Sequence, residues 1–166
     1  MLMIRKCQPN DQKAVRNLIA RVLNGEFPKE AENFPTDDLD DIPSAYGKLG
    51  EAFFVAVNSG KIIGTVAIKR EDNRTALLRR LFVDAPHRRK RIGTKLLEHA
   101  IQFCRDVGYD ELIFKTTSTM HNAVQLCEKR GFVSRARLNI GPVQLLKFAL
   151  FLKGEVLLPQ SKSASS

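Results

Sequence analysis

The chain has 166 residues, 43% of them apolar and 27% charged, which is enough for one well-buried core, too little for two ordinary domains, and unlike a disordered chain. No apolar run approaches the roughly 20 residues that span a bilayer, no signal-peptide stretch follows Met1, and Cys7, Cys104 and Cys127 form no C-x-x-C pair. These features predict a soluble protein with reduced, cytoplasmic thiols, no membrane association, no disulfide framework and no zinc site. Lys and Arg exceed Asp and Glu by 27 − 18 = 9, and seven of the basic residues fall between Arg79 and Lys95, a concentration that asks for an anionic partner.

Along the chain, a short strand from Met3 to Lys6 precedes a helix capped by Asn10 or Asp11 and running to about Leu23, with Val15, Leu18, Ile19 and Val22 on one face. The stretch from Gly25 to Gly50 carries Pro28, Pro35, Pro43 and the acids Asp37, Asp38, Asp40 and Asp41. It is expected to hold no more than one short helix and to serve as a mobile flap on the substrate side. Phe53 to Val57 and Ile62 to Ile68, joined by Asn58-Ser59-Gly60-Lys61, read as a hairpin, and Asp72-Asn73 turns the chain into a third strand from Thr75 to Val83.

From Ile92 a helix presents Leu96, Ala100, Ile101, Cys104 and Val107 on one face and stops at Gly108. A strand at Leu112 to Phe114, a helix from His121 to Arg130 stopped by Gly131, and two strands, Phe132 to Asn139 and Val143 to Leu152, complete the order. The tail after Pro159 is rich in Ser. The elements predict an α/β (α+β) fold with a mixed, mostly antiparallel sheet of about seven strands and helices on both faces. One domain over residues 1–158 and a disordered tail over 159–166 follow from the length and the tail composition.

The strand ending Leu81-Phe82-Val83 leads through Asp84-Ala85-Pro86-His87 into Arg88-Arg89-Lys90-Arg91-Ile92-Gly93-Thr94 at the mouth of a helix. The first N–H groups of a helix lack internal partners and carry the positive end of its dipole, so together they bind a pyrophosphate. Alone, the run from Arg88 to Arg91 reads as a solvated basic face or a nuclear-localisation-like patch; placed after a strand and before Ile92-Gly93, it reads as a phosphate loop.

This pattern resembles the GNAT superfamily of N-acetyltransferases, whose Q/R-x-x-G-x-G/A signature occupies the same strand-loop-helix setting. Here it reads Arg88, x, x, Arg91, Ile92, Gly93. A second stretch, Ala123-x-x-Leu126-Cys127-Glu128-Lys129-Arg130-Gly131-Phe132, is similar to the family's A-x-x-L-Y-x-x-x-G-F, and the element order agrees over residues 3–152.

The resemblance implies acetyl-CoA as co-substrate and a primary amine, on a small molecule or a peptide, as acceptor by direct attack, in a monomer or homodimer. Backbone groups at Leu81 and Val83 would pair with pantetheine, an N–H near Phe82 or Val83 would polarise the thioester carbonyl, and amides from Arg89 to Thr94 would hold the pyrophosphate. Departures are equally specific. Arg91 stands where relatives carry Gly, Cys127 where many carry a Tyr that protonates the leaving thiolate, Met120 where an Asn contact is frequent, and Lys115 where some place a basic Glu. Cys127 is thus a candidate acid or a small packed residue, and His87, His99 and His121 show no metal-ligand spacing. The alternatives are a non-catalytic acyl-CoA sensor, kept open by the absent Tyr and Glu, and an RNA-associated protein. The latter finds no RNP-like motif in a chain with 7% aromatics.

Overall fold

The computed structural model describes residues 1–28 and 35–153. Seven strands form one mixed sheet in the order β1-β2-β3-β4-β5-β7-β6. They are β1 (Leu2–Lys6), β2 (Ala52–Asn58), β3 (Lys61–Arg70), β4 (Thr75–Val83), β5 (Glu111–Thr117), β6 (Val133–Ile140) and β7 (Val143–Phe151). The helices are α1 (Gln12–Glu26), the one-turn α2 (Ile42–Ala45), α3 (Ile92–Val107) and α4 (His121–Lys129). Among the described residues no helix is long and apolar enough to cross a membrane. The chain resolves into two compact units, Met1–Lys69 with Arg79–Ala100, and Arg70–Leu78 with the chain from Ile101 onward. The tail predicted over 159–166 lies outside the described residues.

In the first unit, β1 pairs antiparallel with β2 and β2 with β3, the latter two as the expected hairpin through Asn58↔Lys61. The predicted α1 face is the buried one, with Val15, Leu18, Ile19 and Val22 at most 3% exposed. Neither Asn10 nor Asp11 makes a side-chain cap on α1; Pro9–Asp11 forms a 3-10 turn instead, and α1 runs on to Glu26. The reason is Asp11 itself, which is buried, accepts from the Gln8 N–H at 2.8 Å and holds the Arg5 guanidinium at 2.6 Å, so its carboxylate faces away from the α1 amides. These contacts hold the Asp11 carboxyl below the usual carboxylate range, the Arg5 hydrogen bond first.

Of the Gly25 to Gly50 stretch, residues 29–34 lie outside the described residues, and the rest holds a 3-10 turn (Asp37–Asp40) and α2. That described part is anchored. Gln12 on α1 donates to the Asp40 carbonyl and accepts from the Ile42 N–H, each at 2.9 Å, and Leu39, Ile42 and Tyr46 are buried.

In the second unit, β4 runs parallel to β5 from Thr75↔Glu111 to Leu78↔Phe114, β5 is antiparallel to β7, and β7 to β6. The alternate residues Leu112, Phe114, Leu146, Phe148 and Leu150 share one buried face of the strands, and Ile101, Cys104 and Cys127 are buried as well. Val107, expected on the inner face of α3, is 44% exposed; Leu97 is fully buried instead. Gly108 ends α3 at φ +103, a left-handed backbone that lets its N–H and that of Tyr109 both reach the Cys104 carbonyl. Phe132 precedes β6 rather than opening it, because its N–H closes the end of α4 on the Cys127 carbonyl at 3.0 Å.

Candidate active site

The end of β4 and the start of α3 carry the candidate site within the first unit. Asp84 donates its N–H to the Ile63 carbonyl at 2.8 Å, so at this end of the antiparallel ladder the main-chain groups of Asp84 and Phe82 face β3. Those of Leu81 and Val83 therefore point away from β3. Gly64 eases this packing: a Cβ there would stand 2.8 Å from Leu96 Cδ1 and 3.1 Å from the Phe82 carbonyl oxygen, so the Leu96 side chain would have to shift.

Arg88 has a part the sequence did not suggest. Its guanidinium turns back to donate to the Val83 carbonyl, Nη2 at 2.9 Å and Nε at 3.2 Å, and pairs with Glu26 at the end of α1, Nη2 to Oε2 at 2.7 Å. Both lone pairs of the Val83 carbonyl are thus engaged, which leaves the Val83 N–H as the free group at that residue.

Beyond Arg88 the chain forms a cradle. Arg89 and Arg91 take left-handed backbone angles, φ 68° and 63°, and alternating hand turns successive N–H groups toward one concavity. Arg91, at the position where relatives carry Gly, thus has a left-handed backbone, which costs about 1–2 kcal/mol of local strain. The first helical bond is from the Lys95 N–H to the Arg91 carbonyl at 3.0 Å, and among the described residues the N–H groups of Arg89, Lys90, Arg91, Ile92, Gly93 and Thr94 have no partner. The side chains of Arg89, Lys90, Arg91 and Lys95 are exposed and lie in no ion pair among those residues. His87 Nδ1, in the turn before the cradle, is buried without a hydrogen-bond partner. Unpaired amides, unpaired cations and an orphaned imidazole nitrogen fit a phosphate-bearing ligand.

Upstream, Arg80 interrupts β4 with φ 55° and is 9% exposed. Its Nη2 and Nε reach the two Asp38 oxygens at 2.5 and 3.0 Å, its Nη2 also donates to the Pro35 carbonyl at 2.6 Å, and its own carbonyl accepts from Thr65 Oγ1 at 2.7 Å. Tyr46 donates its hydroxyl to Asp38 at 2.6 Å. Burial pushes the Asp38 carboxyl up, but the hydrogen bonds from Arg80 and Tyr46 and the nearby guanidinium charges outweigh it and hold the group below the usual range. The Tyr46 phenol is pushed well above its ordinary value by burial and by Asp38. Sequence reasoning missed this network, although a signal existed: with side chains alternating at period two, Arg79 and Arg80 cannot both face solvent in a regular strand.

In the second unit Cys127 is fully buried, and burial first, then the Glu128 charge, push its thiol up to about 12. Met120 is also buried and accepts from Thr116 Oγ1 at 3.3 Å, while Lys115 and His121 are exposed. Among the described residues no group of His, Cys, Asp and Glu is arranged to hold a metal. A wholly buried thiol at the inner face of α4 is placed to pack. Cys127→Ala is expected to keep turnover within about tenfold, a barrier change under about 1.4 kcal/mol. Steady-state kinetics with cofactor affinity measured in parallel checks this, and a hundredfold fall in turnover at unchanged affinity would place the leaving-group proton on Cys127.

The mixed sheet with its flanking helices, and the partner-free amides at the mouth of α3, are the fold and the candidate site that the chain presents. The sequence profile of the Acetyltransferase (GNAT) family matches residues 16–132, and the chain belongs to that family. It is 36% identical to human N-acetyltransferase 8 over 101 residues, 57% of this chain and 44% of that protein. It is also 33% identical to the probable N-acetyltransferase camello of Xenopus tropicalis over 132 residues, 78% of this chain and 60% of that protein. To N-acetylaspartate synthetase of Danio rerio it is 38% identical over 97 residues, 57% of this chain and 34% of that protein. The chain thus spans about half the length of the curated relatives it matches. Among solved structures, a GNAT-family acetyltransferase of Staphylococcus aureus Mu50 superposes with a TM-score of 0.80 at 25% identity, covering 92% of this chain and all of that one. YncA of Salmonella typhimurium, solved with its cofactor acetyl-CoA, shares the fold at a TM-score of 0.76 and 20% identity, over 91% of this chain and 94% of that one.

Proposed function

We propose that the chain transfers the acetyl group of acetyl-CoA to a primary amine by direct attack. The observation that carries this reading is the run of partner-free amides from Arg89 to Thr94 directly after the open edge at Leu81 and Val83, in a chain of the GNAT family. The relatives' names, N-acetyltransferase and N-acetylaspartate synthetase, support N-acetyl transfer.

Acetyl-CoA supplies an activated acyl group as a thioester. The cradle amides hold its pyrophosphate, Leu81 offers both main-chain groups to pantetheine, and the Val83 N–H is the donor available to the thioester carbonyl, since Phe82 faces β3. In the reaction the amine nitrogen bonds to the carbonyl carbon, the C–S bond breaks, the amine's proton passes to water, and the thiolate leaves and takes a proton from solvent. Holding the two reactants in line supplies much of the acceleration. Acetyl-CoA at about 100 times its dissociation constant is expected to add about 2.7 kcal/mol of stability, a rise in Tm of about 5–10 °C for a chain of this size. No rise at millimolar acetyl-CoA would remove the reading. A non-catalytic acyl-CoA sensor is the second reading, favoured by the burial of Cys127 where relatives carry Tyr; it predicts the same rise with no thiol release for any amine offered.

A further inference from the structure

Within the first unit, the turn between β4 and α3 is tied to α1 by two ion pairs of opposite sense. Arg21 on α1 reaches the buried Asp84 at 3.2 Å, and Arg88 reaches Glu26 at the end of α1, Nη2 to Oε2 at 2.7 Å and Nη1 to Oε1. The remaining Nη2 donor and Nε meet the Val83 carbonyl at 2.9 and 3.2 Å. Four of the five guanidinium N–H bonds are thus engaged inside the chain and the charge is paired. Arg88 differs in this from Arg89, Lys90, Arg91 and Lys95, which are exposed and lie in no ion pair among the described residues. To hold a pyrophosphate it would have to leave both Glu26 and Val83. Its strong, charge-assisted donors are directed instead at one main-chain oxygen of the row that points away from β3.

We propose that Arg88 is a positioning residue, which closes the Val83 carbonyl so that acetyl-CoA lies along β4 in a single register. The inference rests on the acetyl-transfer reading and adds a residue that acts through the Val83 carbonyl, not on the ligand. Pantetheine is an extended chain with amide N–H donors, and beyond Arg80 the carbonyls of β4 that point away from β3 are those of Leu81 and Val83. Two residues separate them, about 6.5–7 Å along a strand. Were both free, the same pantetheine N–H could dock on either, and in one of the two cases the thioester carbonyl would stand about 6.5–7 Å from the strand N–H that polarises it. Reaction needs the groups in near-attack geometry, which a displacement of that size destroys. A neutral amide donor competes poorly with a guanidinium for one oxygen, so the filled Val83 carbonyl excludes the second register. Glu26 holds the guanidinium there, and the Arg21 pair with Asp84 fixes the same turn to the same helix.

The test compares the wild type with the double variant Glu26→Gln/Arg88→Met, which neutralises both members of the pair and leaves the net charge near the anionic cofactor unchanged. The two side chains are 31% and 28% exposed, and a pair so near the surface contributes little to the fold. Acetyl-CoA isotope-labelled at its thioester carbon is titrated into each protein, with affinity read by calorimetry and the carbonyl environment by carbon NMR. In the wild type the bound resonance is expected at one position, displaced from that of free acetyl-CoA by its hydrogen bond. In the double variant two registers of equal strength tighten binding about twofold and return the mean resonance about halfway to the free value. Glu26→Gln alone leaves the guanidinium on Val83 and should give the wild-type resonance. Binding by the double variant no weaker than the wild type, with the resonance moved toward the free position, supports the proposal. Weaker binding would make Arg88 a ligand of the cofactor, and an unmoved resonance would make its bond to Val83 structural only; either result overturns the proposal and leaves the transferase reading standing. Failure of the wild type to bind acetyl-CoA removes the transferase reading and takes this inference with it.

Discussion

Arg80→Met is expected to destabilise the protein by about 3 kcal/mol, the low end of the cost of leaving a buried charge unpaired, since the Asp38 side chain retains 11% exposure. The pH dependence should change sign with it. In the wild type the folded-state pKa of Asp38 is depressed, so its contribution is fully present above the unfolded value of about 3.9 and is lost as pH falls through the folded value. Without Arg80, burial, the largest single influence on Asp38, is expected to prevail over the remaining Tyr46 hydrogen bond and Arg79 charge, and the folded pKa to rise. Asp38 then ionises less readily in the folded chain than in the unfolded one, and stability declines as pH climbs above about 3.9. Urea denaturation from pH 3 to 7 separates the two slopes. Adding Asp38→Leu should recover a large part of the loss, because the unpaired carboxylate is then gone. A single substitution costing less than about 1 kcal/mol, as an exposed ion pair would, is incompatible with the buried network.

Gly93→Glu is expected to abolish the stabilisation by acetyl-CoA, while Lys90→Ala leaves it nearly intact. A carboxylate about 4 Å from a phosphate charge meets about 4 kcal/mol of repulsion at an effective dielectric of 20, close to a thousandfold in affinity. Ligand that stood at about 100 times its dissociation constant then stands near a tenth of it, and the added stability falls below about 0.1 kcal/mol. Lys90 is exposed, and losing a screened surface charge costs about 0–1 kcal/mol. The free protein should not suffer, because Glu in the first turn of α3 is favourable to the helix dipole. Thermal melts at fixed acetyl-CoA compare the two variants, and equal losses would mean that a charge patch, not a backbone cradle, holds the ligand.

Periodicity alone placed the elements that frame the site. The buried face of α1, the β2–β3 hairpin, β4 ending at Val83 and α3 opening at Ile92 all follow from side-chain phase within one segment and from Gly and Pro punctuation. The run from Arg88 to Thr94 was legible as a loop at a helix mouth for the same reason: its partner-free amides belong to consecutive residues. Tertiary structure decided the rest. Arg80 meets Asp38 42 positions away, and Arg88 meets Glu26 62 positions away. Which of Phe82 and Val83 keeps a free N–H depends on the phase of β4 against β3, and whether Cys127 is an acid or a packed residue depends on its complete burial. Local periodicity carries the direction of a side chain within its own element, whereas register, bulges and the choice of ionic partner are set by segments that meet only when the chain folds.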